Sequence, residues 1–197
     1  MRRRTFDALV SAAGLLLVAL LVVAGGLLTW AHSYAGNQVS TQLSAQKIVF
    51  PTTTSASFKA LPKADQQAMA QYAGQPMTSG AQAKVYADNY IAVHLNEIGK
   101  GKTYSQLSAE SMAQPNNAAL KAAVQTVFQG TTLRSMLLEA YGFGTFATIA
   151  LVSAIASFIG AGLFAVLSVL GLVHARRVSP ETEVLPKLAR ATASATA

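Results

Sequence analysis

The sequence predicts an all-α membrane protein in which two transmembrane helices flank a small extracytoplasmic helical bundle. Two long runs of the 197-residue chain, 8–31 and 140–175, contain no charged side chain. The whole chain has only 12% charged residues, about half of the usual share in soluble domains. No stretch alternates apolar and polar residues for long enough to predict a strand. We therefore divide the chain into a tail (1–7), a first span (8–31), an outer domain (32–144), a second span (145–173) and a second tail (174–197).

The first uncharged run has the length of an uncleaved membrane anchor. As a helix its 24 residues extend over about 36 Å, which is enough to cross a hydrocarbon core of about 30 Å. Trp30 and Tyr34 follow, where aromatic rings favour the headgroup layer. The alternative is a signal peptide cleaved after Ala35, but the apolar segments of signal peptides have only about 7–15 residues. An anchor that stays in the mature chain is therefore the prediction.

The second uncharged run, of 36 residues, is longer than a bilayer requires, and we place its spanning part at 145–173. Gly142 and Gly144 precede this part, and we expect them to loosen the helix there. Short basic flanks stay in the cytoplasm, and both spans have one. The residues predicted to set this topology are Arg2, Arg3, Arg4, Arg176 and Arg177. The prediction is a multi-pass protein of the plasma membrane with both termini in the cytoplasm and the central domain outside.

The first half of the outer domain is predicted to contain a stalk and one helix. Residues 36–49 extend the first span as a helix that stops at Phe50, because a proline follows. Residues 51–61 are rich in Thr and Ser and are predicted to form a loop. Pro62 then opens a helix over 63–73, since proline suits a first helical turn.

The second half of the outer domain is predicted to be helical as well. Thr78 or Ser79 caps a long helix that runs to Ile98 and carries apolar residues on a wide surface. A break at 99–102 follows, and then a capping box at Thr103 and Gln106 starts a helix that runs to about Met112. Asn116 caps a further helix, which Gly130 closes, and the chain is helical again over 133–141. The segment 179–197 has little apolar content and is predicted to be disordered.

The sequence contains no recognisable catalytic, cofactor or metal site. There is no cysteine, which excludes disulfides and cysteine-ligated zinc or iron–sulfur centres. His32, His94 and His174 are isolated, and the predicted topology separates the last from the other two. The segment 99–102 (GKGK) lacks the spacing of a phosphate-binding loop and is interpreted as a turn. Five aromatic side chains could line a pocket, although core packing is the favoured interpretation: Tyr72, Tyr86, Tyr90, Tyr104 and Phe128.

The net charge of +7 does not indicate nucleic-acid binding. Seven of the 15 basic residues flank the two spans, where they suit anchoring in the membrane, and the other eight are scattered through the outer domain without a cluster. We therefore predict no nucleic-acid partner.

One feature of the second span goes beyond hydrophobicity. Ser153, Ser157, Ala161 and Ala165 recur every four residues, and small side chains at this spacing allow helix backbones to approach closely. We predict that this ladder packs against the first span or against another subunit. The alternative is that an alanine-rich chain produces such a ladder by chance.

Two segments, TSGAQAKVYADNYIAVHLNEIGKGKTYSQLS and AQPNNAALKAAVQTVFQGTTLRSMLLEAYGF, resemble a family of uncharacterised two-span membrane proteins of actinobacteria. The resemblance covers residues 30–146 and the layout of both spans. Some members carry a name that implies an aromatic-ring-opening dioxygenase. Non-haem iron sites usually need two histidines and a carboxylate, and the residues here do not supply that set in a ligand-like motif. The resemblance implies no functional residue.

Three classes of function are compatible with these observations. The first is a non-catalytic cell-envelope protein that scaffolds, assembles or modulates a membrane complex, with the bilayer and another membrane protein or a second copy as partners. The second is an extracytoplasmic sensor of a small-molecule ligand that signals through a partner protein. The third is an enzyme or a lipid-active protein, and the absence of a recognisable site makes it the least favoured.

Overall fold

The structure, a computed structural model, describes residues 2–179. Within them the chain is helical (81%) and contains no strand, and an isolated antiparallel bridge joins Val49 and Pro76. The predicted all-helical fold is therefore confirmed for this part of the chain. The helices are α1 (Arg3–Ala45), α2 (Ala56–Lys59), α3 (Lys63–Ala70), α4 (Gly80–Tyr86), a π-helix (Ala87–Ile91), α5 (Ala92–Gly99), α6 (Tyr104–Ala113) and α7 (Ala118–Arg177).

Two of these helices, α1 and α7, are long and apolar enough to cross a membrane. Their 43 and 60 residues extend over about 64 Å and about 90 Å, well beyond the thickness of a hydrocarbon core. The contacts divide the chain into two compact units. Within the described part of the chain, unit 1 contains residues 2–29 and 151–179, and unit 2 contains Trp30–Ala150.

Unit 1 is a pair of antiparallel helices. Ser11 faces Gly171 and Gly14 faces Ser168, so the residue numbers rise along one helix as they fall along the other. The fully buried residues of this pair are small, namely Ser11, Gly25, Ala154, Ala161, Ser168 and Ala175, and most of the large side chains are exposed. Examples of exposed large side chains are Leu16 (64%), Leu27 (63%), Val152 (62%) and Leu163 (62%).

Unit 2 has a compact apolar core built from the C-terminal part of α1, the short helices and the N-terminal part of α7. Phe50, Met69 and Met77 are its largest fully buried side chains. The segments on either side of the Val49–Pro76 bridge are joined by backbone hydrogen bonds, among them Met77 N–H to the Ile48 carbonyl (2.8 Å). The other buried members of the core are Val39, Leu43, Phe58, Leu61, Ala83, Ala87 and Leu137.

The predicted helix boundaries in the first half of unit 2 need correction. The stalk ends at Ala45 rather than near 49, and Lys47 follows with a φ of 54°, a left-handed conformation that stops the helix. The predicted loop 51–61 contains the short helix α2, because the Ser55 side chain accepts a hydrogen bond from the Phe58 N–H. The helix after Pro62 ends at Ala70, three residues before the prediction.

The second half of unit 2 follows the predicted caps more closely. Ser79 caps α4 and Thr103 caps α6, each in a complete capping box with a glutamine three residues later. The break at 99–102 is present, with φ values of 50° at Lys100 and 77° at Gly101.

The prediction that Gly130 ends a helix is wrong, and so is the expected loosening at Gly142 and Gly144. All three lie inside α7, whose N-cap is Asn117 rather than Asn116. These glycines serve close packing in two of the three cases. A Cβ at Gly130 would collide with Leu95, and one at Gly144 would lie 3.4 Å from the Gly80 Cα. The predicted disorder of 179–197 falls, except for Ser179, outside the described residues.

Candidate functional sites

The ladder residues of the second span lie on or beside the face of α7 that packs within unit 1. Ala161 is buried, and Ser153, Ser157 and Ala165 are half-buried. The Ser157 hydroxyl donates a hydrogen bond to the Ser153 carbonyl (2.8 Å), so its polar group is satisfied within the helix. An association of this ladder with another subunit stays a prediction.

The best-buried line on this part of α7 has a spacing of seven rather than four residues. Ala154, Ala161, Ser168 and Ala175 are all buried. A repeat of seven keeps one face of a helix turned toward its partner when two helices coil around each other. The four-residue ladder includes only Ala161 from this line. The seven-residue spacing was the signal in the sequence that would have found the others.

Two serines of unit 1 occupy notches formed by glycines on the opposite helix. The Ser168 hydroxyl lies where a Cβ at Gly14 would be, and the Ser11 hydroxyl lies where a Cβ at Gly171 would be. This reciprocal arrangement lets the two backbones approach closely, which is the main source of helix association in an apolar solvent. The sequence interpretation did not identify Ser11, Gly14, Ser168 or Gly171.

The basic residues predicted to set topology lie at the ends of the two long helices. Arg2, Arg3, Arg4, Arg176 and Arg177 are all exposed. Between these ends, His174 Nε2 lies 3.8 Å from Asp7 Oδ2, and that carboxylate oxygen is buried without a hydrogen-bond partner.

A cluster of charged side chains in unit 2 surrounds the π-helix. Arg134 Nη2 donates to Asp88 Oδ1 (2.7 Å) and Lys84 Nζ donates to Asp88 Oδ2 (2.5 Å). The Lys84 hydrogen bond is the main cause that lowers the pKa of Asp88 below its usual 3.8, and Arg134 adds to it. The same bond raises the pKa of Lys84. Lys84 and Asp88 are visible in the sequence as an i,i+4 pair, whereas Arg134 lies too far along the chain to be assigned to them.

Three of the five predicted aromatic residues, Tyr72, Tyr86 and Tyr90, belong to one row of rings, whereas Tyr104 and Phe128 form a separate pair with ring centroids 5.4 Å apart. Phe50 contacts Tyr72 and Tyr86, with ring centroids 5.4 Å and 5.3 Å apart, and Tyr90 and His94 continue the row along the π-helix and α5. Burial raises the pKa of Tyr86 to about 12. His94 Nδ1 donates to the Tyr90 carbonyl (2.7 Å), so one ring nitrogen of this histidine is committed to the backbone.

A groove of about 300 Å³ lies in unit 2 between α1, the N-terminal end of α4 and α7. Its floor includes Gly36, Gly144 and Ala147. His32, which the sequence analysis left isolated, lies at one end, and its Nδ1 donates to the Ala147 carbonyl (2.8 Å). This hydrogen bond joins α1 to α7 beside the groove. The structure thus gives His32 a definite structural partner.

Metal binding has no geometric support among residues 2–179. No three His, Asp or Glu side chains in that range lie close enough together to hold an ion. Comparison of the chain with protein-family models, with curated proteins and with solved structures finds no match. The sites are therefore interpreted from their own geometry.

Proposed function

We propose that the chain is an integral protein of the plasma membrane, with both termini in the cytoplasm, and acts as a non-catalytic scaffold, assembly or modulatory partner of a membrane complex. The observation that carries this proposal is the inverted distribution of side-chain size in unit 1. Among the described residues of unit 1, the fully buried ones are all glycine, alanine or serine, and most of the Leu, Val, Ile and Phe side chains are exposed. In water each exposed leucine would forgo about 1.5–3 kcal/mol of burial, whereas in lipid it costs nothing.

The arginines at the helix ends support the proposed orientation. Arg176 and Arg177 suit the negative end of the α7 dipole, so helix stability alone would account for them. Arg3 and Arg4 lie in the first turn of α1, at the positive end of its dipole, where basic residues are unfavourable. A requirement for positive charge on the cytoplasmic side of the membrane accounts for both pairs.

The orientation can be tested with single cysteines, because the chain has none of its own. Thr53 lies in an exposed turn of unit 2, and Ser194 lies near the C-terminus. A membrane-impermeant maleimide should label Thr53→Cys on intact cells and should label Ser194→Cys only after lysis. The reverse pattern would refute the orientation, and recovery of the protein in the soluble fraction would refute the membrane location.

The scaffold role is tested by purifying the full chain in a mild detergent and identifying what accompanies it. A membrane protein recovered at a fixed ratio to the chain supports the proposal. The ladder variant Ala161→Leu and its matched control Leu163→Ile should show whether the second span holds that partner. A chain that purifies as a monomer with no companion protein would contradict the scaffold role.

The second candidate function is an extracytoplasmic ligand sensor that signals through a partner. The groove between α1, α4 and α7 favours it, because its volume of about 300 Å³ is at the lower end of the range for small-molecule sites. A small molecule that copurifies with the chain and is lost in a groove-filling variant would support the sensor over the scaffold.

A further inference from the structure

We propose that the groove in unit 2 is a binding site for one anionic phospholipid of the surrounding bilayer, with an acyl chain in the groove and the phosphate near Lys84. This inference rests on the proposed membrane location, because the lipid must come from the outer leaflet. It goes beyond that proposal by assigning a specific ligand class and specific residues.

The walls of the groove are apolar because its hydroxyl groups are already satisfied. The Thr145 hydroxyl donates to the Tyr141 carbonyl (3.0 Å), and the Thr148 hydroxyl donates to the Gly144 carbonyl (3.1 Å). These hydrogen bonds direct the hydroxyl groups toward the backbone of α7, so the threonine methyl groups form the wall of the groove. A polar ligand would find few free hydrogen-bonding groups in the groove, whereas a hydrocarbon chain needs none.

The hydroxyl groups at the α4 end of the groove are satisfied in the same way. Thr78 and Ser79 both direct their hydroxyls to Gln82 Oε1, at 3.3 Å and 3.2 Å, and Gln82 is itself buried. Gly36 lines the groove, and a Cβ there would meet no atom within 4 Å, so the missing side chain leaves open space at this point. The groove therefore selects an apolar occupant by shape and by the lack of free hydrogen-bonding groups.

The groove adjoins exposed apolar side chains that would face lipid. Trp30 (66% exposed) and Phe146 (67%) lie within two residues of the groove residues His32 and Ala147 along their helices. An acyl chain can thus enter from the bilayer without crossing a polar barrier. Trp30 stacks on Tyr34 at a centroid distance of 5.5 Å, an arrangement that suits the headgroup layer.

Positive charge lies at the opposite end of the groove. The Lys84 ammonium lies 5.4 Å from the centroid of the Tyr141 ring, which lines the groove. Lys84 and Arg134 share the single carboxylate of Asp88, so two positive charges against one negative charge leave a net charge of +1. Tyr141 precedes Thr148 by seven residues, so the charge lies about 10 Å further along α7 from the apolar end. A phospholipid has this separation between its phosphate and the upper part of its acyl chains.

The acyl-chain part of the proposal is tested by filling the groove. A Cβ at Gly36 meets no atom within 4 Å, so Gly36→Leu should project into the groove without disturbing the backbone. Gly142→Leu is the matched control, because Gly142 also has open space around it but does not line the groove. The measurement is the unfolding temperature of the full-length chain in detergent, with and without added phosphatidylglycerol.

Phosphatidylglycerol should raise the unfolding temperature of the native chain and of Gly142→Leu, and should have no effect on Gly36→Leu. The proposal is overturned if Gly36→Leu responds like the native chain, or if phosphatidylcholine stabilises the native chain as much as phosphatidylglycerol does. Membrane fractionation of the same samples separates the two proposals. A native chain found in the membrane fraction that shows no lipid preference refutes the lipid site alone, whereas a chain absent from that fraction refutes the membrane location.

The phosphate part is tested with Lys84→Gln. One lysine near an anionic lipid surface changes binding by about fivefold, so this variant should bind phosphatidylglycerol about fivefold more weakly and phosphatidylcholine unchanged. The control is Lys121→Gln, an exposed lysine 20 residues before Tyr141 on α7. Lipid adducts counted by native mass spectrometry give the readout. Equal loss in both variants would refute a specific contact at Lys84.

Discussion

The guanidinium of Arg134 donates a hydrogen bond from Nε to the carbonyl oxygen of Ala87 (3.2 Å), a residue 47 positions earlier in the chain. That carbonyl also accepts the N–H of Ala92, five residues later, which is the hydrogen bond that defines the π-helix. Arg134 therefore adds a second hydrogen bond to a carbonyl that already accepts one within the π-helix. Asn89 Nδ2 also donates to the Val85 carbonyl (3.0 Å). Tertiary contacts with α7 therefore stabilise the local widening of the helix.

Replacing Arg134 by lysine should destabilise unit 2. Lysine keeps the charge but cannot hold the Ala87 carbonyl and the Asp88 carboxylate together in the fork geometry of a guanidinium. We expect a loss of about 1–2 kcal/mol, since the site is partly exposed and water replaces part of what is removed. Urea unfolding of the detergent-solubilised chain, followed by circular dichroism, measures it. Arg176→Lys, at the exposed end of α7, is the control, and equal stability of the two variants would contradict the prediction.

The lowered pKa of Asp88 makes the stability of unit 2 sensitive to acid. A carboxyl group whose pKa is lower in the folded state binds fewer protons there than in the unfolded state. Its contribution is therefore fully present above the unfolded value near 3.8 and is lost as the pH falls through the lower folded value. Asp88→Asn should reduce stability at pH 7 and flatten the loss of stability below about pH 5. Thermal unfolding measured from pH 7 to pH 3 checks this prediction. If the stability of the native chain and of Asp88→Asn falls equally steeply as the pH is lowered, Asp88 does not cause the acid sensitivity.

Two capping boxes with the same motif differ in burial, and this difference gives a matched comparison. Gln82 Oε1 accepts hydrogen bonds from the N–H groups of Thr78 (2.8 Å) and Ser79 (3.0 Å) in a buried setting. Gln106 makes the equivalent bond with Thr103 at the surface. Gln82→Ala leaves two N–H groups without an acceptor and should cost about 2–3 kcal/mol, against about 0.5–1 kcal/mol for Gln106→Ala. Equal losses in parallel thermal unfolding experiments would show that burial of the first box adds nothing.

Sequence patterns over a few residues predicted the helix ends that depend on contacts between residues close together in the chain. The caps at Ser79 and Thr103 are confirmed because each depends on a side chain and a backbone N–H three residues apart. The prediction at Gly130 failed because a glycine ends a helix only when its backbone turns left-handed, whereas this glycine stays helical inside α7 and packs against Leu95. The sequence contains nothing local that distinguishes these two uses of glycine.

The candidate sites depended on contacts between distant segments and were mostly missed. The π-helix depends on Arg134, and the groove lies beside the bond from His32 to Ala147, 115 residues later. Neither pairing follows from spacing along the chain. The small-residue face of the second span needs no such long-range pairing, because a periodic pattern of small residues marks one face of a helix before any partner is known.

The last prediction concerns the packing of the second span. Ala161 is 5% exposed, and its neighbour Gly160 lies against Leu21 of α1, where a Cβ would be 3.4 Å from the leucine Cδ1. There is no space for three more carbon atoms at this point. Ala161→Leu should therefore destabilise the helix pair by about 1–3 kcal/mol, the usual cost of overpacking. Leu163→Ile, on the exposed outer face, preserves volume and should change stability little. Thermal unfolding in detergent gives the stability of each variant.

The oligomeric state of the same two variants identifies the partner of the ladder. If α1 of the same chain is the partner, Ala161→Leu lowers the unfolding temperature while the particle mass, measured by light scattering, stays unchanged. If a second subunit is the partner, the mass itself falls. A disulfide between Gly14→Cys and Ser168→Cys gives an independent check, because the Ser168 hydroxyl lies where the new Cβ would be and the chain has no other cysteine. Its formation within one chain would assign the pair to a single subunit. If Ala161→Leu changes neither the stability nor the particle mass, the ladder is not a packing surface, and its spacing arises by chance in an alanine-rich chain.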